Sequence, residues 1–174
     1  MASREGVASM TNEYDISVAT PDDVSGIIAL QEPNLPANGG TLSVRQPADW
    51  FTKAIMEKSV VVARRDGKVV GYVLGTSLAT KAHIPIIQAM LNAYPAPSEC
   101  YLYGPVCVAE SERGRGVALA LFEVLQKHMA GRPAMTFVRT DNAPSRRAHQ
   151  KMGMRELGIF LSEDVPYVAL AYTT

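Results

Sequence analysis

This chain has almost nothing with which to build a metal site or a disulfide. Its 174 residues include two cysteines, Cys100 and Cys107, and three histidines, His83, His128 and His149. The two cysteines close the ends of one extended run, where about 3.3 Å per residue holds them beyond disulfide reach. Both read as reduced thiols. No ligand spacing joins them to the histidines, so no metal is expected. Charge of one sign is missing too, because 17 basic residues balance 17 acidic ones. Without a global field the chain is not drawn to nucleic acid or to an anionic membrane, and any anionic partner must be held by local charge. No run reaches the roughly 18 apolar residues of a membrane span, and the opening "MASREGVASMTNE" lacks the apolar core of a signal peptide. A cytoplasmic protein with neither membrane nor nucleic acid among its partners is expected. Repeats, low-complexity tracts and interdomain linkers are also absent. With 47% hydrophobic residues there is material for one core. A disordered segment over residues 1–13 and a single domain over 14–174 are therefore expected.

What is present reads as an alternation of strands and helices. "YDISVA" alternates as a strand, and "TPDDVSGIIAL" follows as a helix with Thr20 as N-cap and Pro21 in its first turn. The loop "QEPNLPANGGT" ends that helix. A second helix over residues 47–57 is predicted to present Trp50, Ala54 and Ile55, flanked by Phe51. "SVVVARRDGKVVGYVLG" is two β-rich runs joined by Asp66-Gly67, the signature of a tight antiparallel hairpin. Residues 77–99 contain a short apolar helix closed by prolines. "CYLYGPVCVA" is a strand interrupted by Gly104-Pro105, which implies a bulge or an edge because proline cannot donate to a ladder. From Gly116 a helix is predicted with Val117, Leu121, Val124 and Leu125 inward and Gly131 as its stop. "AMTFVRT" is a strand, "APSRRAHQKMG" a short helix, and "ELGIFL" and "YVALAY" close the chain as strands.

The stretch "ESERGRGVALALFEVL" places two glycines where a strand hands over to a helix. A helix N-terminus carries unsatisfied N–H groups and about half a positive charge, and glycine there removes the bulk that would keep an anion away. Gly114 and Gly116 would let a phosphate reach the amides from Arg113 to Ala118, with the Arg113 and Arg115 charges nearby. The other reading is a plain strand-to-helix turn with solvated arginines. Two phosphate motifs are excluded. No Gly-Lys-Ser/Thr follows, as a P-loop requires, and Leu119 stands where a dinucleotide fingerprint needs glycine.

"RGRGVA", Arg113 to Ala118, resembles the Arg/Gln-x-x-Gly-x-Gly/Ala signature of the GNAT superfamily of N-acetyltransferases. "VCV" before it looks like that family's pantetheine-binding strand, and "DNAPSRRAHQKMGM" is similar to its later segment, an Asn followed by a short helix ending in Gly-Phe. The resemblance implies a mixed α/β fold: a mostly antiparallel sheet of six to seven strands, helices on both faces, and a splayed strand pair that takes acetyl-CoA. It implies that Val106, Cys107 and Val108 pair with pantetheine and that amides of Gly114, Arg115, Gly116, Val117 and Ala118 hold the pyrophosphate. Asn142 and Ser145 fall where the family often contacts the cofactor. Arg146, Arg147 and Lys151 either reach the 3′-phosphate or adenine, or form an exposed basic face.

The implied reaction is direct acetyl transfer to a small-molecule or peptide amine, with the Val108 N–H polarising the thioester carbonyl. Many members use a tyrosine as acid toward the leaving sulfur, and here His149 stands in its place. Tyr103 is the first candidate for base or water anchor, with Glu99 behind it, and ordinary packing is the alternative for both Tyr103 and His149. Glu110 and Glu112 are expected to balance Arg113 and Arg115. The amine is expected near "EPNLPANGGT" and the 77–99 insert, whose Ile84, Ile86, Ile87, Met90, Leu91 and Tyr94 suggest an apolar lid or a homodimer contact. A silent acyl-CoA-binding module of the same fold is the competing function, motivated by the missing tyrosine.

Overall fold

The computed structural model describes residues 13–173 except 41 and 43, so the expected disordered segment lies, Glu13 apart, outside the described residues. Among the described residues there are seven strands: β1 (Asp15–Val18), β2 (Val60–Arg65), β3 (Lys68–Ser77), β4 (Tyr101–Val108), β5 (Ala134–Arg139), β6 (Arg155–Ser162) and β7 (Val165–Tyr172). They form one sheet in the order β1-β2-β3-β4-β5-β7-β6. β4 and β5 run parallel, while β1–β2, β2–β3, β5–β7 and β6–β7 are antiparallel. The expected mostly antiparallel α/β sheet is thus present, with seven strands. The helices are α1 (Val24–Gln31), α2 (Ala48–Met56), α3 (Leu78–Lys81), α4 (Pro85–Ala93), α5 (Val117–His128) and α6 (Ala143–Lys151). The residues cluster into two compact units, one of the described chain up to Leu74 with Pro105–Leu125, the other of Gly75–Gly104 with the chain from Gln126 onward.

In the first unit, the helix expected from Thr20 begins as a 3-10 turn, Pro21–Asp23, before α1 takes over. The tighter turn follows from its bonds. The Asp23 N–H donates to Thr20 O at 2.9 Å, and the Thr20 N–H donates to Asp23 Oδ2 at 2.7 Å. The same carboxylate receives Arg64 from β2 in a fork, Nε to Oδ1 at 2.7 Å and Nη2 to Oδ2 at 2.5 Å. Burial alone would raise this carboxyl, but the Arg64 bonds and charge with the Thr20 amide outweigh it and hold Asp23 below the usual carboxylate range.

The β2–β3 hairpin turns at Asp66 and Gly67 with φ of 51° and 77°, both in the left-handed region that a type I′ turn requires. Val60 to Ala63 are all buried, without alternation, so both faces of the sheet are covered there. In α2 the buried face is Phe51, Ala54 and Ile55, while Trp50, expected inward, is half-buried. The helix turns because the Phe51 ring docks edge-on against Tyr72, centroids 5.5 Å apart, leaving Trp50 to meet Phe51 edge-on at the border.

In the second unit, β4 pairs with β5 through Tyr101↔Ala134 and Leu102↔Met135 and, among the described residues, no further. Gly104 follows at φ 107° and then Pro105, so the dipeptide marks the end of this pairing, as its chemistry predicts. The 77–99 insert gives an additional turn, α3, and the expected helix, α4. α4 buries Ile87 and Met90 against Leu78, Cys100, Met135, Phe160 and Ala169, with Ile84, Ile86, Leu91 and Tyr94 packed around them. Of the six apolar side chains expected to form a lid or homodimer contact, Ile87 and Met90 are thus buried in the core of their own unit, and the other four are partly buried against it. Both cysteines are unbridged and buried.

Removing one partner of a buried ion pair leaves an uncompensated charge, so Arg64→Leu should destabilise the protein by about 3 kcal/mol at pH 7. Because the folded-state pKa of Asp23 is depressed, the pair's contribution is present above about pH 4 and fades as pH falls through the folded value. Urea unfolding at pH 7 and pH 3 checks this: the difference between wild type and variant should shrink at the lower pH.

Candidate active site

The site is built from the second half of β4, the turn after it and the first turn of α5. Val106, Cys107 and Val108 carry β4 toward Ala109, whose N–H donates to Val70 O on β3 at 2.8 Å. After a 3-10 turn over Glu110–Glu112, Gly114 and Gly116 adopt φ of 75° and 81°, a left-handed backbone that β-carbons resist. α5 begins at Val117, and its first intrahelical acceptor is Gly116 O, which takes the Ala120 N–H at 3.0 Å. The N–H groups of Val117, Ala118 and Leu119 therefore have no acceptor within the helix. Both glycines are exposed, and a β-carbon at Gly114 would meet nothing within 4 Å. Open amides beside a positive helix end fit the pyrophosphate of acetyl-CoA.

Sequence reading missed what seats this helix. Gly71 sits in β3 beneath α5, where a β-carbon would lie 3.2 Å from Leu121 Cδ1 and 3.3 Å from both Cys107 O and Val117 Cγ1. Its signal was legible as a glycine inside the apolar run "KVVGYVLG", a pattern that marks close backbone approach. α5 buries Val117, Leu121, Phe122 and Leu125, with Phe122 in the place expected for Val124.

The two arginines of the turn are engaged within the protein. Arg113 donates from Nε to Val108 O at 3.3 Å and from Nη2 to Asn34 Oδ1. Arg115 pairs with Glu13 at 3.1 Å and Glu112 at 3.7 Å. Glu112 also accepts from the Tyr14 hydroxyl and from Arg65 at 3.0 Å. Tyr14 and the two arginines hold the Glu112 carboxyl below its ordinary range despite burial. Glu112 thus balances Arg115, as expected, together with Arg65 and not Arg113.

The other expected residues belong to the second unit. Asn142 caps α6, accepting the Ser145 N–H at 3.2 Å, so both belong to the architecture of the helix. Arg146 forks onto Glu156 at 2.8 and 2.9 Å and donates to Thr140 O at 2.9 Å, which spends its donors on structure, while Arg147 and Lys151 are exposed. His149 is buried, its Nδ1 2.6 Å from Ser145 O. A carbonyl only accepts, so the proton sits on Nδ1 and Nε2 of the neutral ring is a lone-pair acceptor. Burial lowers its pKa, opposed by the Ser145 bond. Tyr103 meets the ring edge-on, centroids 5.6 Å apart, and its hydroxyl lies 3.6 Å from Met152 Sδ. Burial drives the Tyr103 phenol well above its usual value. Acting as a base would require the phenolate, so its neutral O–H is the form available. Among the described residues no three His, Cys, Asp or Glu gather to hold a metal ion, and no helix is long and apolar enough to cross a membrane.

The model of the acetyltransferase (GNAT) family matches residues 25–154, about three quarters of the chain. The chain belongs to the GNAT family. No curated protein matches it significantly. Among solved structures, a GNAT-family acetyltransferase from Streptococcus agalactiae is similar at TM-score 0.71 and 16% identity, covering 92% of this chain and 95% of that one. A ribosomal-protein-alanine N-acetyltransferase from Brucella melitensis gives TM-score 0.68 and 19% identity, covering 92% and 99%. The yncA protein of Salmonella typhimurium, solved with its cofactor acetyl-CoA, gives 0.67 and 12%, covering 92% and 93%. At these identities the likeness is one of fold. The GNAT family uses acetyl-CoA, and "RGRGVA" lies within the residues that match it.

The buried, neutral His149 couples folding to pH. Its folded-state pKa lies below the ordinary 6.5, so the unfolded chain takes up the proton first as pH falls. Stability from this ring should be intact above about pH 6.5 and drop by up to about 1.4 kcal/mol per pH unit below it, until the folded ring also titrates. Urea midpoints at pH 7 and pH 5 should show a smaller acid-side loss for His149→Gln than for wild type.

Proposed function

We propose that this chain, acting as one N-acetyltransferase domain over residues 14–174, moves the acetyl group of acetyl-CoA directly to a primary amine within a ternary complex. The amine belongs to a small molecule or a peptide. The observation that carries the reading is the course of β4: its pairing with β5 ends at Leu102, and the strand then leads, through the 3-10 turn Glu110–Glu112, to the glycine turn at the mouth of α5. Such a strand offers backbone groups to an extended pantetheine, and the turn offers amides to a pyrophosphate.

Acetyl-CoA, when bound, supplies an activated thioester. Everything else is asked of the protein. Holding amine and thioester in attack geometry can lower the barrier by about 7 to 11 kcal/mol. The Val108 N–H polarises the thioester carbonyl. The peptide beyond it is clamped at both ends, Val108 O by Arg113 and the Ala109 N–H by Val70 O, which fixes the direction of the strand. His149, with Nδ1–H committed to Ser145, presents Nε2 as an acceptor. The proton lost by the attacking amine passes to Nε2 and from there to the departing CoA sulfur. In this scheme the acid role expected of His149 follows a base role. Tyr103 holds the ring edge-on and keeps its own proton.

The acceptor is assigned to the loop after α1, where "EPNLPANGGT" follows a helix of the same unit as the glycine turn.

Titration with acetyl-CoA in a calorimeter should give saturable, micromolar binding, weakened at least tenfold in Gly116→Asp, which puts bulk and negative charge at the amides. Equal affinity for the two proteins would remove the loop from cofactor binding. With an amine panel and thiol release as readout, His149→Gln should lower turnover by about a hundredfold while acetyl-CoA affinity is unchanged. Binding with no turnover on any amine would support the silent module instead.

A further inference from the structure

Arg113 does more than open the signature. It lies 79 residues from Asn34 in sequence, yet its Nη2 donates to Asn34 Oδ1 while its Nε donates to Val108 O. Asn34 is buried at 5% exposure, and its amide is fully oriented: Oδ1 accepts from Arg113 and Nδ2 donates to Leu30 O at 2.8 Å. Leu30 O, near the end of α1, also faces the Cys107 thiol at 3.9 Å. One polar chain therefore connects the end of β4 with the end of α1.

The loop closes around the same residue. The Leu42 N–H donates to Asn34 O at 3.0 Å, and the Gly40 N–H donates to Leu35 O at 2.9 Å. A β-carbon at Gly40 would fall 1.9 Å from Asn34 O, so the chain passes too close to Asn34 for any other residue. Whatever moves the Asn34 backbone moves the loop.

We propose that Asn34 is a positioning residue that ties the amine-side loop, residues 32–40, to the acetyl-CoA strand through Arg113, so that filling the cofactor site orders the loop for the acceptor. The proposal rests on the functional reading above and deepens it. Energetically, acetyl-CoA that engages β4 and the turn fixes Val108 and Arg113, and Asn34 then loses freedom at no further cost. The amine then meets an ordered wall.

Amide hydrogen exchange on the intact protein tests this, with acetyl-CoA as the probe. In wild type, saturating acetyl-CoA should slow exchange roughly tenfold over both residues 105–118 and residues 32–40. Asn34→Ala should keep the first effect and lose the second. Asn34→Asp separates coupling from a mere cap on α1, because its carboxylate still accepts from Arg113 but cannot donate to Leu30 O. It should restore loop protection. Equal loss in both variants would overturn the proposal, as would loop protection in Asn34→Ala equal to wild type.

An arm without ligand keeps the coupling testable if acetyl-CoA fails to bind, a result that would count against the functional reading alone. There, Arg113→Ala, a change at an exposed side chain, should speed loop exchange as much as Asn34→Ala does, and the double variant should add nothing further. Additive effects, or no change on removing Arg113, would sink the link itself.

Discussion

The rest of the structure depends on a break in one strand. β4 is bonded to β5 for two residues, and then Gly104 and Pro105 prevent the ladder from continuing, one by its φ of 107° and the other by having no N–H to give. A strand that loses its neighbour keeps a row of polar backbone groups that must be satisfied by something. In a GNAT member the extended arm of acetyl-CoA is a suitable partner, and the glycine turn lies only a few residues further along the same strand. The order along the chain, from a strand paired with β5 to one freed on that edge to a helix mouth, fits the order of a long thin ligand with a phosphate at one end.

The arrangement around the turn shows how charge is managed in a protein of zero formal net charge. The arginines that the signature places at the helix mouth are held by Asn34, Val108 O, Glu112 and Glu13, so their guanidiniums shape the turn from within. Under the proposed function, fixed amides at the helix end carry the attraction for phosphate. They are aimed by the backbone, need no reorganisation on binding, and are insensitive to side-chain entropy in a way that two long exposed arginines are not.

The two side chains proposed for proton handling follow a similar logic of confinement. His149 and Tyr103 are buried against one another, which costs each its charged form: the imidazolium is disfavoured and so is the phenolate. What survives is a neutral pair whose hydrogen-bonding roles are fixed by geometry, with the Ser145 carbonyl choosing the tautomer. The proposed relay rests on His149 because its neutral ring keeps a lone pair at Nε2, whereas Tyr103 would have to become the disfavoured phenolate to act as a base.

Sequence alone determined whatever depends on nearest neighbours along the chain. Asp66-Gly67 turned as its backbone preferences dictate, Gly104-Pro105 ended a pairing, and Gly114 and Gly116 opened a helix mouth, because each acts through its own φ and its own missing atoms. The family signature was legible for the same reason. Tertiary structure decided the partners. Nothing local tells Arg113 to reach Asn34, sets Phe51 rather than Trp50 against Tyr72, or draws the apolar insert into the core, because those outcomes depend on which surfaces the sheet brings together. Even the tautomer of His149, bonded only four residues back, needed the ring's burial and rotamer to be known. Side-chain roles in this protein are properties of contact, and contact is what a one-dimensional pattern leaves out.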